Sequence, residues 1–335
     1  MDAFAGAVGV ADSDGKATPV YSVCTPRQDG VFTPYYARLL RHMALSGFIE
    51  SLSKGIRERS TEFRWAELAE VVLPVPPKAE QERIANFLIE QTARIDALVA
   101  EKERLVGVLG QHAQAITDAV TFSDSTTHAK LGYFVDLLPG YAFPSDEFSR
   151  DPSDIPLLRG VNVTPSGVRW DEAVYWTRDY DKSLERFVLR AGDVVMGMDR
   201  PWISTGARVT LIDQASAGAL LLQRVCRLRA GHKSRQRFIY YALASDAFRQ
   251  SVEVELTGVS VPHLSPEQIL RFKIPVLSLQ EQDERCQLAD RSLREVASLQ
   301  EHTEFMLEHL REYRSSLISA AVTGQLDIST FKLAA

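Results

Sequence analysis

Long apolar runs are missing from these 335 residues. No stretch reaches the roughly 18 consecutive apolar residues that a spanning helix needs, which excludes a membrane anchor of that kind. Cysteine is scarce. Cys24, Cys226 and Cys286 are too far apart for a C-x-x-C metal site, and an odd number argues against a disulfide framework. A reducing, cytoplasmic compartment is expected. The N-terminus, MDAFAGAVGVADSDGK, carries acids early and lacks the basic start of a secretion signal.

Catalytic signatures are missing as well. There is no G-x-x-x-x-G-K-[ST] phosphate loop, which excludes an ATPase of that type. No N/D-P-P-Y/F tetrapeptide of a methyltransferase occurs, and Asp151-Pro-Ser-Asp154 reads as a turn. No compact group of acids with a lysine suits a nuclease. Histidines 42, 112, 128, 232, 263, 302 and 309 show no ligand spacing, and His302 and His309 read as solvated helix residues. The sequence therefore offers no catalytic residue, no metal site and no cofactor site.

Charge does not decide between function classes. The whole chain carries −6, yet Lys130–Lys273 holds 19 Lys and Arg against 17 Asp and Glu. The acidity lies outside this central stretch, which has local basic clusters at Arg224–Arg229 and Lys233–Arg237. Phosphate binding needs such a local face rather than a high overall pI. A mixed solvated surface explains the same composition.

What is present is an internal repeat. Leu73-Pro-Val-Pro-Pro-Lys-Ala-Glu-Gln81 matches Ile274-Pro-Val-Leu-Ser-Leu-Gln-Glu-Gln282, and each is followed by a long helical pattern. Pro74 and Gln81 reappear 201 positions on as Pro275 and Gln282, and Val120 reappears 202 positions on as Val322. A residue before proline is pushed towards extended backbone, so each unit starts as a strand or extended piece. Ser278-Leu-Gln-Glu281 has capping-box spacing, and Pro76 and Pro77 suit a helix start. Apolar positions at Ile84, Leu88, Ile95, Leu98, Leu105, Leu109, Ile116 and Val120 predict a heptad seam. Leu293, Val296, Leu299, Met306, Leu310, Leu317 and Ala321 predict its counterpart, with Gly324 at the C-cap. Each helix, at about 1.5 Å per residue, spans roughly 60 Å, and the two are expected to pack as an antiparallel pair.

Between the helices the texture changes. Ile155–Leu158, Asp193–Met196 and Ala207–Ile212 read as strands broken by turns, and Arg237–Ala244 as a short amphipathic helix. This predicts a compact α/β domain. Residues 1–72 repeat only its end: Gly6 aligns with Gly206, Cys24 lies near Cys226, and Phe48 falls opposite Phe248. The counterpart of Leu131–Ile203 is missing, so the first domain reads as N-terminally truncated. The expected boundaries are 1–72, 73–127, 128–273 and 274–335.

This order of parts, with P-x-P-P-x-x-E-Q-x-x-I at Pro74, Pro76, Pro77, Glu80, Gln81 and Ile84 and T-G-x-x-D at Thr323, Gly324 and Asp327, resembles the specificity subunits of type I restriction–modification enzymes. Leu277-Ser278-Leu279 departs from the prolines the family prefers there. The resemblance implies α/β (α+β) target-recognition domains joined by two long antiparallel coiled-coil helices. Each domain would read one half of a split double-stranded DNA site, and the helices would act as a spacer. Two methyltransferase subunits would dock on the helices and a motor-nuclease subunit could join. S-adenosylmethionine, Mg and ATP would sit only on those partners, and this chain would itself be non-catalytic. Glu80, Gln81, Ile84, Leu88, Ile95, Leu98, Leu105, Glu281, Gln282, Leu293, Val296, Leu310 and Leu317 are the candidate spacer and partner residues. With one domain shortened, the chain alone is expected to read one half-site at most, or to self-associate through its helices.

For DNA contact the candidates are polar and aromatic residues in turns. Arg159, Asn162 and Thr164 close one strand, and Arg and Asn are the side chains that pair bidentately with guanine and adenine edges. Arg200, Trp202, Ser204, Thr205 and Arg208 form a second set, and Ser260 and His263 a third. Each loop reads equally as a structural turn. Trp170, Tyr175, Trp176 and Tyr180 suit strand packing better than base stacking. Two other functions fit the same architecture: a helical scaffold that reads no DNA, and a truncated silent donor copy for exchange of recognition domains. An adjacent methyltransferase gene or a neighbouring full-length homologue would separate them.

Overall fold

Two 44-residue helices are the longest elements of the computed structural model, which describes residues 6–16, 23–52, 69–122, 127–204, 206–256 and 263–331. The chain divides into two units, Met1–Gly107 with Glu301–Ala335, and Val108–Gln300. Each long helix contributes residues to both.

The first unit contains α1 (Thr33–Leu45), α2 (Phe48–Leu52) and the start of α3 (Lys78–Thr121). Pro34 lies in the first turn of α1, where its missing N–H costs nothing. Tyr35 and Leu39 pack on Ile84, Ala85, Leu88 and Ile95 of α3 and on Leu317, Ala321 and Val322 near the chain's end. The Tyr35 hydroxyl donates to the Val322 carbonyl at 3.2 Å, so this buried polar tip has a partner.

The second unit is built on strands. In chain order they are β1 (His128–Lys130), β2 (Val135–Pro139), β3 (Ile155–Leu158), β4 (Val163–Thr164), β5 (Gly167–Val168), β6 (Tyr175–Trp176) and β7 (Val194–Gly197). They continue as β8 (Trp202–Ile203), β9 (Gly206–Ala207), β10 (Val209–Leu211), β11 (Leu220–Leu221) and β12 (Val225–Ala230). Helices α4 (Gln236–Ala244), α5 (Asp246–Leu256) and α6 (Pro266–Arg271) follow, then β13 (Lys273–Pro275) and α7 (Leu279–Val322). The main sheet is antiparallel in the order β10-β7-β12-β2. Alternation along β7 puts Val194 and Met196 on one face and Val195 on the other, and β12 does the same with Cys226 and Val225. One face packs on α4, α5 and α6, with Val120, Cys286 and Ala289 from the long helices. The other packs on the small sheet β11-β3-β6, where Trp176 is a core residue and Trp170, Tyr175 and Tyr180 are partly buried.

The repeat is most visible in its glutamines. Gln81 is buried in the first unit; its Oε1 accepts from the Phe32 amide at 2.8 Å, and its Nε2 donates to the carbonyls of Gly30 and Pro76. Gln282 is buried in the second unit, accepting from the Arg235 amide and the Ser234 hydroxyl and donating to the carbonyls of Lys233 and Leu277. Each side chain ties the loop before a short helix (α1 or α4) to the turn that launches a long one. Gln81 makes three such bonds and Gln282 four, each set inside one unit, so the two glutamines are latches within a unit.

Helix ends follow their sequence signals. Ser278 and Glu281 form the reciprocal capping pair, with the Ser278 amide donating to Glu281 at 2.9 Å and the Glu281 amide to Ser278 Oγ at 3.2 Å. Gly324 has φ +74° and closes α7 with a bond from the Gln325 amide to the Ala320 carbonyl.

The seam differs from its expected phase in the middle of both helices. Leu98 and Leu105 are 44% and 38% exposed, and Leu299 is 55% exposed. Burial passes instead through Leu88, Thr92, Ile95, Val99, Lys102, Val106 and Leu109 on α3. On α7 it passes through Cys286, Ala289, Leu293, Val296, Gln300, Thr303, Leu307 and Leu310. This is a regular three–four alternation whose polar members, Thr92, Lys102, Gln300 and Thr303, hide it from a search for apolar residues. Glu80 pairs with Arg83, one turn along the helix surface. Within the first unit, Arg314 with Asp96 and Arg311 with Glu103, each at 2.7 Å, flank the antiparallel pairing.

Candidate nucleic-acid interface

After Gly197 the chain of the second unit leaves the main sheet and turns outward. Met198 stays buried, Asp199 is partly covered, and Arg200 is exposed with φ +46°. A side chain in the left-handed region costs of order 1 kcal/mol, so the fold around it imposes this turn. The chain then enters the β8–β9 hairpin, which pairs Trp202 with Ala207 and Ile203 with Gly206. Trp202 is half-buried, with its ring 5.9 Å from that of Phe248. Ser204 is exposed, and Thr205 lies outside the described residues.

Arg208 leaves the hairpin with its amide donating to the Pro201 carbonyl at 2.7 Å. Its side chain crosses Gly197, where an added Cβ would come within 3.3 Å of Arg208 Cβ, and approaches Gly160. This brings the 159–162 turn and Arg208 together. Both arginines have a buried Nε with no protein partner among the described residues.

Three of the expected contacts are used inside the fold. Asn162 is 2% exposed; its Oδ1 accepts from the Arg159 amide at 3.0 Å and its Nδ2 donates to the Arg169 carbonyl at 2.8 Å. A buried amide with both ends taken cannot reach a base edge, so Asn162 holds the turn. Thr164 donates to the Gly167 carbonyl at 2.8 Å and closes the β4–β5 hairpin. Arg159 donates to the Glu172 carbonyl and lies 3.9 Å from that residue's carboxylate.

His263 is placed against the Arg200 loop. Its Nδ1 lies 2.5 Å from Asp199 Oδ1, and Asp199 Oδ2 lies 2.5 Å from Arg224 Nη1. Burial pushes the Asp199 carboxyl up, but hydrogen bonds from Arg224 and His263, with their charge, hold it below the usual carboxylate range. Sequence reasoning passed over Asp199 and Arg224 as anchors, because neither separation, 25 or 64 residues, follows any helical or strand period. Ser260 lies outside the described residues.

The basic clusters of the sequence are largely neutralised. Arg229 forms a two-pronged bond to buried Asp193, and Arg227 is buried against Asp136. Arg235 pairs with Asp283 at 2.8 Å and Arg237 with Asp290 at 2.6 Å. These two clusters are therefore not free phosphate-binding faces. Among the described residues no three metal-ligating side chains converge, and no helix is long and apolar enough to cross a membrane.

A strand-built unit carrying arginine-bearing loops and a second unit that is helical in its described residues, each containing part of both long repeat helices, define a scaffold that displays polar loops. No family model matches the chain. It is similar to the MjaVIII type I restriction enzyme specificity subunit of Methanocaldococcus jannaschii, with 24% identity over 77% of this chain and 63% of that one. The EcoAI type I specificity subunit of Escherichia coli is 31% identical over 46% of this chain and 26% of its own length. The chain thus spans under two thirds of these relatives. Among solved structures, a chain from a type I R-M system studied for complex assembly and conformational transition matches with a TM-score of 0.71 at 15% identity, covering 88% of this chain and 72% of that one. The HsdS subunit from Thermoanaerobacter tengcongensis matches at 0.52 and 17% identity, covering 87% and 71%. The resemblance to type I restriction enzyme specificity subunits is therefore borne out by relatives in sequence, and the fold by neighbours in structure.

Proposed function

We propose that this chain is the DNA-reading specificity subunit of a type I restriction–modification complex, with 128–273 as its target-recognition domain. The observation that supports this most directly is that Arg200, Ser204 and Arg208 lie on the turn and hairpin that follow β7, with His263 bonded to Asp199 beside Arg200, in a chain similar to specificity subunits. Arg200 and Arg208 have no ion pair among the described residues and keep donors for base edges or phosphates. Methyltransferase subunits, expected as two copies, would dock on the long helices, and a motor-nuclease subunit would join them. Adenine methylation, with S-adenosylmethionine, Mg and ATP, would belong to those partners. This chain would place them and do no chemistry, in the cytoplasm.

The test is co-expression with a type I methyltransferase subunit, followed by methylome sequencing. A methylated adenine motif that appears only when the chain is present is the expected result. Stable co-purification without any motif would instead favour a scaffold that reads no DNA.

A further inference from the structure

The second unit gathers three loops of distant sequence into one polar edge. The Met198 amide donates to the Arg224 carbonyl, and the Leu264 amide donates to the Met198 carbonyl, both at 2.8 Å. These backbone bonds bring Asp199, Arg224 and His263 side by side. The Asp199 carboxylate then binds one of them with each oxygen. Pro139, Met198, Gln223, Arg224, His263 and Pro266 line an open depression there. Arg224, like Arg200 two strands' ends away, is a non-glycine residue in the left-handed region, with φ +67°. Backbone strain of this kind marks a position fixed by its surroundings.

We infer that Arg224 is a specificity-determining residue that reads guanine at the edge of the depression, and that Asp199 is the positioning residue that aims it. This deepens the reading of the chain as a DNA-specificity subunit and rests on it. Arg224 is 64% exposed at its side chain, yet Asp199 holds it at one nitrogen. Among the described residues only Nη1 has a side-chain partner, which leaves the other donors of its planar fork for a geometry that matches guanine O6 and N7. The carboxylate beside it cancels most of the local charge. A site made only for phosphate would gain nothing from that neighbour, whereas a base-reading arginine gains orientation. With Nδ1 held by Asp199, His263 keeps Nε2 for the neighbouring base pair.

The probe is a library of DNA duplexes randomised at the centre, selected by the chain in complex with its methyltransferase subunits. The complex with the unaltered chain should select a motif containing a specified guanine. Arg224→Lys keeps the charge but loses the fork, and should relax that single position by about tenfold or more while the other positions stay specified. Asp199→Ala should relax the same position, and Asp199→Glu should restore part of it, a recovery that a purely structural carboxylate would not show at one base pair. If Arg224→Lys weakens every sequence by one factor and leaves the motif unchanged, Arg224 is a phosphate contact and the inference fails. If the motif is unchanged in all variants, it fails as well, with DNA reading by the chain intact. A complex that selects no motif with the unaltered chain would overturn the DNA-reading function itself.

Discussion

At the scale of single residues, the two repeat glutamines and the three thiols give the sharpest expectations. Gln282 satisfies two donors and two acceptors that are otherwise buried or half-buried. Gln282→Leu keeps the volume and strands those groups, each costing about 1–3 kcal/mol, so unfolding measurements should show a loss of roughly 2–5 kcal/mol. The exposed neighbour substitution Gln280→Leu should stay within about 0.5 kcal/mol. An equal effect for both would refute the latch. Burial pushes the thiols of Cys226 and Cys286 up to about 12, while Cys24 is exposed. Because the thiolate is the reactive form, a disulfide reagent at neutral pH should titrate Cys24 alone in the native protein and all three thiols after denaturation. Rapid native labelling of Cys286 would mean that the α7 seam opens.

The long helices carry the expectations at the scale of elements. Leu88 is fully buried in the first unit, whereas Leu98, ten residues along the same helix, is 44% exposed. Leu88→Asp would place a carboxylate in an apolar seam and should cost about 3 kcal/mol or more, visible as a lowered Tm. Leu98→Asp should change stability by under about 0.5 kcal/mol. If Leu98 instead contacts a methyltransferase subunit, its aspartate variant should lose co-purification with Tm unchanged. Similar Tm losses for both would restore the seam phase that the apolar residues alone suggest. Helix existence, length and ends were legible because propensity, capping and the C-terminal glycine act within a few residues. The phase was not, because Thr92, Lys102, Gln300 and Thr303 occupy seam positions and the exposed leucines mimic them.

For the whole molecule, the ion pairs set how binding should respond to salt. The arginines of the two central clusters are committed to carboxylates, so these clusters have little charge left to displace counterions. The slope of log K against log salt is about −0.9 for each phosphate neutralised, and a shallow value near −2 to −4 is expected for this chain without partners. A slope steeper than about −6 would mean that the clustered arginines give up their carboxylates to phosphates, or that basic residues outside the two clusters carry the contacts. By itself the sequence determined the repeat, the two long helices, the capped turns and the α/β texture between them. All of these rest on periodicity or on spacing within a short window. Only the tertiary structure decided that Asn162, Gln81 and Gln282 are internal, that Arg227 and Arg229 are neutralised, and that Asp199, Arg224 and His263 share one edge. Those facts depend on contacts of a few ångströms between residues far apart in the chain, and hydrogen bonding across such separations leaves no period in the sequence to read.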